Sequence, residues 1–301
     1  GIWKRDCIED AGGWHTATLV EDLDLSYRAQ MKGWKCVFLP DIVVDAELPA
    51  QMNGAKRQQF RWAKGSIQCA VKLLSDIGLK RNVAIEAKIQ AFIQLTRHIV
   101  YPLMLIQFLA LPVLLAGQIN LYVVSFLPVI TLATYLAMGP GAYIVIIQSM
   151  YGKSWKSRAK LLPALLVYNA GMSVNNTVAV FDAVIGKKNE FLRTPKYGIV
   201  TKDDDWKNKA YNLPFTQTTL LEIFFGVYGI MGIFISIFSN NPIFVPIIAL
   251  QTIGFFFIAY MSLSHTRFKK NKSSNDRPLT KKEKTANNIY KLAMVGILAI
   301  I

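Results

Sequence analysis

The chain has 301 residues, 52% of them hydrophobic, with 34 Lys and Arg against 19 Asp and Glu and a formal net charge of +15. Its positive mean hydropathy excludes an ordinary soluble domain, because the apolar residues gather in runs of about 20, the length that crosses a hydrocarbon core of about 30 Å. The basic residues lie between those runs, which points to the inner face of a membrane rather than to nucleic acid.

Cys7, Cys36 and Cys69 all precede the first apolar run. Their spacing suits neither a disulfide framework nor a zinc site, so reduced thiols are expected. The chain opens on Gly1-Ile2-Trp3 and ends inside an apolar run from 289. Both ends predict a piece of a longer protein.

Residues 1–55 read as the C-terminal part of an α/β unit. Thr18-x-x-Glu21 predicts a capping box that starts a helix through Leu23, Tyr27 and Met31 and stops at Gly33. Cys36-Val37-Phe38-Leu39 predicts a short buried strand, and Ile42-Val43-Val44 a second extended piece. Residues 56–88 form an amphipathic region: Phe60, Ala63, Ile67, Ala70, Val71 and Leu74 make an apolar stripe, with Arg57, Arg61, Lys64, Gln68 and Lys72 on the other face. Such a basic helix suits either the headgroup plane or the surface of the preceding domain.

Membrane helices are expected at about 99–117, 122–149, 219–238 and 243–263, with the start of another in 289–301. The turns at Gln118-Ile119-Asn120 and Ser239-Asn240-Asn241 carry no charge, whereas 153–160, 187–209 and 267–284 are rich in Lys and Arg. That contrast puts the basic loops in the cytosol and the uncharged turns outside. The chain therefore divides into two membrane helices in 89–160, two more in 219–264 and a basic linker in 265–288. The stretch 161–185 has basic flanks on both sides and holds Asn169, Ser173, Asn175, Asn176, Thr177 and Asp182. It predicts an interfacial or re-entrant helix. Pro140 should kink the second membrane helix.

Three constellations carry possible chemistry. Glu21 and Asp22 pair two carboxylates in a first helical turn, where the macrodipole alone also favours acids. Asp24 reads as a solvated acid, and Arg97-His98 as a snorkelling pair at a membrane entry. Gln58, Arg61 and Trp62 fall at i, i+3 and i+4 on one side of a helix. Arg offers a fork of donors matched to phosphate, and Trp a flat face suited to a sugar ring. Phe191-x-x-Thr194-x-Lys196 is a short basic turn stiffened by Pro195. His15 and His265 have no ligand-like spacing, and Asp203-Asp204-Asp205 reads as a solvated acidic cluster rather than a metal motif.

Val20-Glu21-Asp22 followed by Gln58-x-x-Arg61-Trp62 resembles the Thr-Glu-Asp and Gln-x-x-Arg-Trp motifs of the family 2 glycosyltransferases, and most closely the processive cellulose synthase-like membrane enzymes. Gly12-Gly13-Trp14, the stretch from Asp24 to Arg28 and Arg61-Trp62-Ala63-Lys64-Gly65 resemble that family too. The resemblance implies a glycosyltransferase-A (Rossmann-like) domain, here its C-terminal part only, followed by interfacial helices and a transmembrane bundle. It implies Asp22 as general base with Glu21 shaping the site, Gln58 and Arg61 at the donor diphosphate, and Trp62 and Trp14 at the acceptor sugar. Phe191, Thr194 and Lys196 resemble the family's gating loop. Val20 replaces the family Thr, a loss of one hydroxyl that leaves the acids intact.

The implied activity is inverting transfer of a hexosyl unit from a UDP- or GDP-sugar to a growing β-linked polysaccharide, coupled to export. Non-processive transfer to a lipid carrier is the first alternative, and a non-catalytic scaffold or transporter-like relic the second. The implied partners are the nucleotide sugar, a glycan or lipid-linked acceptor and the bilayer. A divalent cation, Mg or Mn, is expected on residues upstream of this chain, so that the fragment alone would be inactive. The implied location is the plasma membrane, with the catalytic side cytosolic.

Overall fold

The computed structural model describes residues 1–39, 42–118, 160–188, 194–198, 213–214 and 216–266. The expected helix at 122–149, Pro140, Phe191, the three consecutive aspartates and the segments beyond 266 lie outside these. The chain forms two units.

The first unit comprises Gly1–Leu48, Arg57–Ile99 and Asn175–Lys196. It begins with helix α1, Arg5–Asp10, and α2, Glu21–Met31. The expected capping box is absent. Val20 is the N-cap and no side chain caps the helix; Thr18 is buried, and its neighbour Leu19 donates its N–H to Gln68 Oε1 at 3.0 Å. Glu21 is therefore the first helical residue rather than the third. The C-terminus ends as the sequence predicts. Gly33 sits at φ +96°, Gly33 N–H donates to Gln30 O at 2.9 Å, and Trp34 N–H to Ala29 O at 3.2 Å, the Schellman pattern that needs a residue without Cβ.

Helix α2 is apolar on two sides. Leu23, Tyr27 and Met31, spaced by four, pack with the third and fourth helices. Leu25 and Ala29 pack on α1 with Cys7, Ala11 and Trp34. The two expected strands do not form. Among the described residues there is no β-ladder, and Val37, Phe38, Val43 and Val44 are exposed. Apolar β-branched residues make a strand only where a neighbouring strand satisfies the backbone, and none of the described residues supplies one.

Helix α3, Met52–Leu79, is one unbroken helix of 28 residues, and α4, Ile85–Thr96, follows it. The apolar stripe of α3 differs slightly from the expected one. Ala63, Ile67, Ala70, Leu73 and Ile77 are buried, whereas Val71 is 72% exposed. Lys64, expected on the solvated face, has no exposed surface. The stripe is covered by Val20 and α2 and by Ala91 and Leu95 of α4. The three thiols are free; Cys7 and Cys69 are buried and Cys36 is exposed.

The second unit comprises Pro49–Lys56, Val100–Val174 and Tyr197–Ile301. Its described helices are α5, Val100–Ala116, α6, Leu162–Val184, whose last ten residues belong to the first unit, α7, Thr218–Phe238, and α8, Val245–Thr266. Phe108, Leu111, Leu115, Val174, Ile248 and Phe255 form its core. Close approach depends on glycine. A Cβ on Gly171 would lie 2.1 Å from Gly254 O, and one on Gly229 would lie 2.0 Å from Thr252 Oγ1. Small residues at crossings suit a membrane, where lipid is as apolar as the helix and association depends on contact.

Among the described residues, three stretches are long and apolar enough to cross a membrane: Ile85–Ala116, Thr218–Phe238 and Pro242–Thr266. They match three of the runs expected from hydropathy. The uncharged turn between α7 and α8 is closed by Ser236 Oγ donating to Asn241 O and Asn241 Nδ2 donating to Ser239 O, both at 2.7 Å. Helix α6 is continuous, so the chain does not turn back within it. Its Ser173, Asn175, Asn176 and Thr177 are buried in protein.

Candidate functional site

Gln58, Arg61, Trp62, Gly65, Gln68, Cys69 and Lys72 recur along α3 at i, i+3, i+4, i+7, i+10, i+11 and i+14, so they share one face. Helix α2 and the turn before it dock on the second half of that face. Val20 meets Gly65, where an added Cβ would come within 2.6 Å of Val20 Cγ2. Leu19 N–H reaches Gln68, and the Asp24 carboxylate reaches Lys72 Nζ at 2.6 Å. Val20, the N-cap of α2, is thereby seated at Gly65, and Asp24, one turn later, reaches Lys72.

This geometry brings two of the sequence constellations together. Glu21 and Asp22 immediately follow the residue seated on Gly65. Trp62 is three residues earlier on α3, about 4.5 Å along the axis, and Gln58 seven residues earlier, about 10.5 Å. Both acids are exposed. Leu23 N–H donates to Asp22 Oδ1 at 2.8 Å, and Ser26 Oγ donates to Asp22 O at 2.7 Å. Gln58 and Arg61 are half-buried, and Trp62 is 40% exposed, so an indole face is open to a ligand.

Asp24 is not the solvated acid the sequence suggests. It has no exposed surface. Its Oδ2 accepts from Arg28 Nε at 2.8 Å, its Oδ1 accepts from Lys72 Nζ, and His15 Nδ1 lies 3.6 Å away. Arg28 in turn donates from Nη1 to Ala11 O and from Nη2, at 2.7 Å, to Gly13 O. This carboxylate therefore fixes the Gly12-Gly13 turn, where both residues have positive φ, and with it the position of Trp14. Trp14 is half exposed and packs edge-on against Trp3 with ring centroids 6.0 Å apart. The i, i+4 spacing of Asp24 and Arg28 signals one of these contacts in sequence; Lys72 carries no such signal.

Behind Trp62, Lys64 Nζ donates to Lys187 O at 2.5 Å and lies 3.7 Å from Asp182 Oδ2. Ile67 packs with Val180 and Ala183 beside them. The end of α6 thus braces α3. Cys69 is buried, and burial pushes its thiol up to about 11. It is a packing residue rather than a nucleophile. Thr194 is half-buried, with no hydrogen-bond partner for its hydroxyl among the described residues, and Lys196 is exposed.

The described acids do not assemble a metal site. No three His, Cys, Asp or Glu side chains among the described residues converge as ligands. Asp24 is committed to Arg28 and Lys72, and Glu21 and Asp22 are successive helical residues whose side chains diverge.

The contact at Gly65 can be tested. Gly65→Ala should force Val20 and the start of α2 outward and cost about 1–3 kcal/mol of stability. Adding Val20→Ala should recover most of that loss in thermal unfolding, and failure to recover would show that the two residues do not meet.

Comparison with known proteins follows the same residues. Residues 3–140 match the family model described as glycosyl transferase family group 2. The chain is 28% identical over 267 residues to the Arabidopsis thaliana protein "Probable glucomannan 4-beta-mannosyltransferase 10", covering 85% of this chain and 45% of that protein. It is 26% identical over 268 residues to "Glucomannan 4-beta-mannosyltransferase 9" of the same plant, covering 86% and 48%. To "Glucomannan 4-beta-mannosyltransferase 1" of Oryza sativa subsp. japonica it is 30% identical over 207 residues, covering 67% and 37%. The chain thus spans less than half the length of each of these relatives. No solved structure matches it significantly.

Proposed function

Because this chain belongs to the family 2 glycosyltransferases, we propose that the face of α3 and the start of α2 form the acceptor side of a β-hexosyl transfer site. The whole protein would move a hexose from a UDP- or GDP-sugar onto a growing β-linked polysaccharide. The relatives' names specify a mannosyl unit joined through position 4 to a glucomannan, and the reading adopts that linkage. The observation that carries the proposal is the seating of Val20 on Gly65, one helical turn from Trp62.

In this reading Trp62 stacks on the terminal acceptor sugar, with Trp14 contributing a second aromatic face. Asp22 Oδ1 is occupied by the Leu23 N–H, so Oδ2 takes the proton of the acceptor hydroxyl as that oxygen attacks the anomeric carbon. The bond from the anomeric carbon to the diphosphate oxygen breaks as the new one forms, and the configuration inverts. The departing diphosphate gains charge, which the Arg61 guanidinium opposes with Gln58 beside it. Glu21 keeps the proton acceptor in an acidic, hydrated setting. Lys196 offers a further cation for the diphosphate. Enzymes of this family commonly use a divalent cation; the described residues do not fit one.

The three apolar stretches support a multi-pass membrane protein, and the basic loops support a cytosolic site with the polymer leaving through the helices. Incubating the full-length protein with a panel of UDP- and GDP-hexoses and a β-1,4-linked oligosaccharide tests the reading. Products longer by many units are expected. Single additions to a lipid carrier would replace polymer synthesis with the simpler transfer, and no transfer from any donor would remove the reading.

A further inference from the structure

We infer that Asp24 and Arg28 are positioning residues that set the register of the acceptor sugar by clamping Trp14 from both sides. The role rests on the acceptor reading of Trp14 and adds to it the device that holds the ring in place. The backbone before Trp14 needs such a device. Gly12 and Gly13 have φ of +86° and +76°, a region that glycine enters freely and also leaves freely. Their N–H groups donate to Glu9 O and Ile8 O at the end of α1, so the carbonyls of the turn depend on other donors. Arg28 supplies them, with Nη1 on Ala11 O and Nη2 on Gly13 O at 2.7 Å. On the far side of Trp14, Lys72 Nζ lies 3.0 Å from His15 Nδ1. Each neighbour of Trp14 is therefore held by a cation.

Both cations converge on one carboxylate. Asp24 Oδ2 accepts from Arg28 Nε at 2.8 Å and Oδ1 from Lys72 Nζ at 2.6 Å, and Asp24 has no exposed surface. A buried carboxylate between two cations adds little stability over an apolar cluster. What it supplies is direction, because the planar guanidinium fork binds its acceptors only in a fixed geometry. Trp3 steadies the indole itself, standing at 70° to it with ring centroids 6.0 Å apart, while Trp14 stays 49% exposed. Helix α2 gives the clamp its use. Asp22 and Asp24 are two residues apart on it, about 200° around the axis, and Asp22 is exposed where Asp24 is buried. One rigid segment thus turns the proposed proton acceptor outward and grips the sugar platform on its other side. Lys72 joins both to the α3 face that bears Trp62.

The test compares the full-length wild type with Arg28→Lys, Trp14→Ala and the double variant Arg28→Lys/Trp14→Ala. Arg28→Lys keeps a cation beside the buried Asp24 and removes the fork that reaches both carbonyls. Its kcat/KM for a β-1,4-linked oligosaccharide acceptor should fall about tenfold, with the donor KM within about twofold of wild type. In the Trp14→Ala background the same substitution should change acceptor kcat/KM by less than about twofold, because the ring it positions is gone. An equal fall in both backgrounds, or a matching rise in donor KM, would make Arg28 a merely structural residue and overturn the inference. Fluorotryptophan labelling gives a readout independent of transfer. The fluorine line missing from Trp14→Phe belongs to Trp14, and it should broaden or split in Arg28→Lys. A Trp14 line identical to that of the wild type overturns the inference and leaves the acceptor reading standing; Trp14→Ala with unchanged acceptor kcat/KM ends both. If Arg28→Lys does not fold, Lys72→Gln, which releases the His15 side, is held to the same outcomes.

Discussion

Asp22→Asn in the full-length enzyme should lower the rate of sugar transfer by about 10²–10⁴-fold, the usual contribution of a positioned proton acceptor. Nucleotide-sugar affinity should change little. The substitution keeps the shape of the side chain and can keep the oxygen that receives the Leu23 N–H, so the start of α2 should be undisturbed. Only the second oxygen changes, from a carboxylate acceptor to an amide donor. Initial rates and donor binding measured on the same preparation separate these effects. Wild-type turnover would remove Asp22 from the reaction, and loss of donor affinity equal to the loss of rate would make it a binding residue instead. Glu21→Gln should be milder, because Glu21 is assigned no proton transfer.

The second large effect concerns a buried ion pair. Lys56 Nζ lies 2.6 Å from Glu222 Oε1 and donates to Thr219 Oγ1 at 3.1 Å, and neither charged side chain has exposed surface. Burial pulls the Lys56 ammonium below the ordinary lysine range, with Glu222 opposing that fall. Lys56→Met would strand a carboxylate in an apolar helix and should cost about 3–5 kcal/mol. The double variant Lys56→Met/Glu222→Leu should regain most of that, since a packed apolar pair can replace a buried ion pair. Thermal unfolding in detergent reads both; a harmless Lys56→Met would mean that the charges do not depend on each other. Within the second unit the pair anchors the first residues of α3, along with Met52 N–H donating to His265 Nδ1 at 2.9 Å and Asn53 Nδ2 donating to Ser262 O at 3.1 Å.

Local signals were legible in the sequence, and partnerships across long stretches of chain were not. The spacing of Leu23, Tyr27 and Met31 with Gly33 predicts α2 to its last turn, because periodicity and a Schellman glycine are properties of the segment itself. The apolar runs around Ser239-Asn240-Asn241 predict α7 and α8 for the same reason. Asp24, Lys56 and Lys64 all look like surface charges, and all three are buried. Their partners Lys72, Glu222 and Asp182 are 48, 166 and 118 residues away, and no local pattern reveals them. The strand pattern at Val37-Phe38 failed in the opposite sense: the residues suit a strand, but pairing belongs to the neighbours. The acidic pair and the Gln-x-x-Arg-Trp face were both legible; their proximity became visible only through Val20 and Gly65.

The central claim is that the Asp22 carboxylate and the Trp62 indole face one sugar. Asp22→Cys with Trp62→Cys, placed in the full-length chain lacking Cys36, tests it through a bifunctional thiol reagent about as long as a hexose is wide. The account predicts an intramolecular cross-link that forms readily. A pair that no such reagent can bridge, in protein whose thiols both react singly, would contradict it.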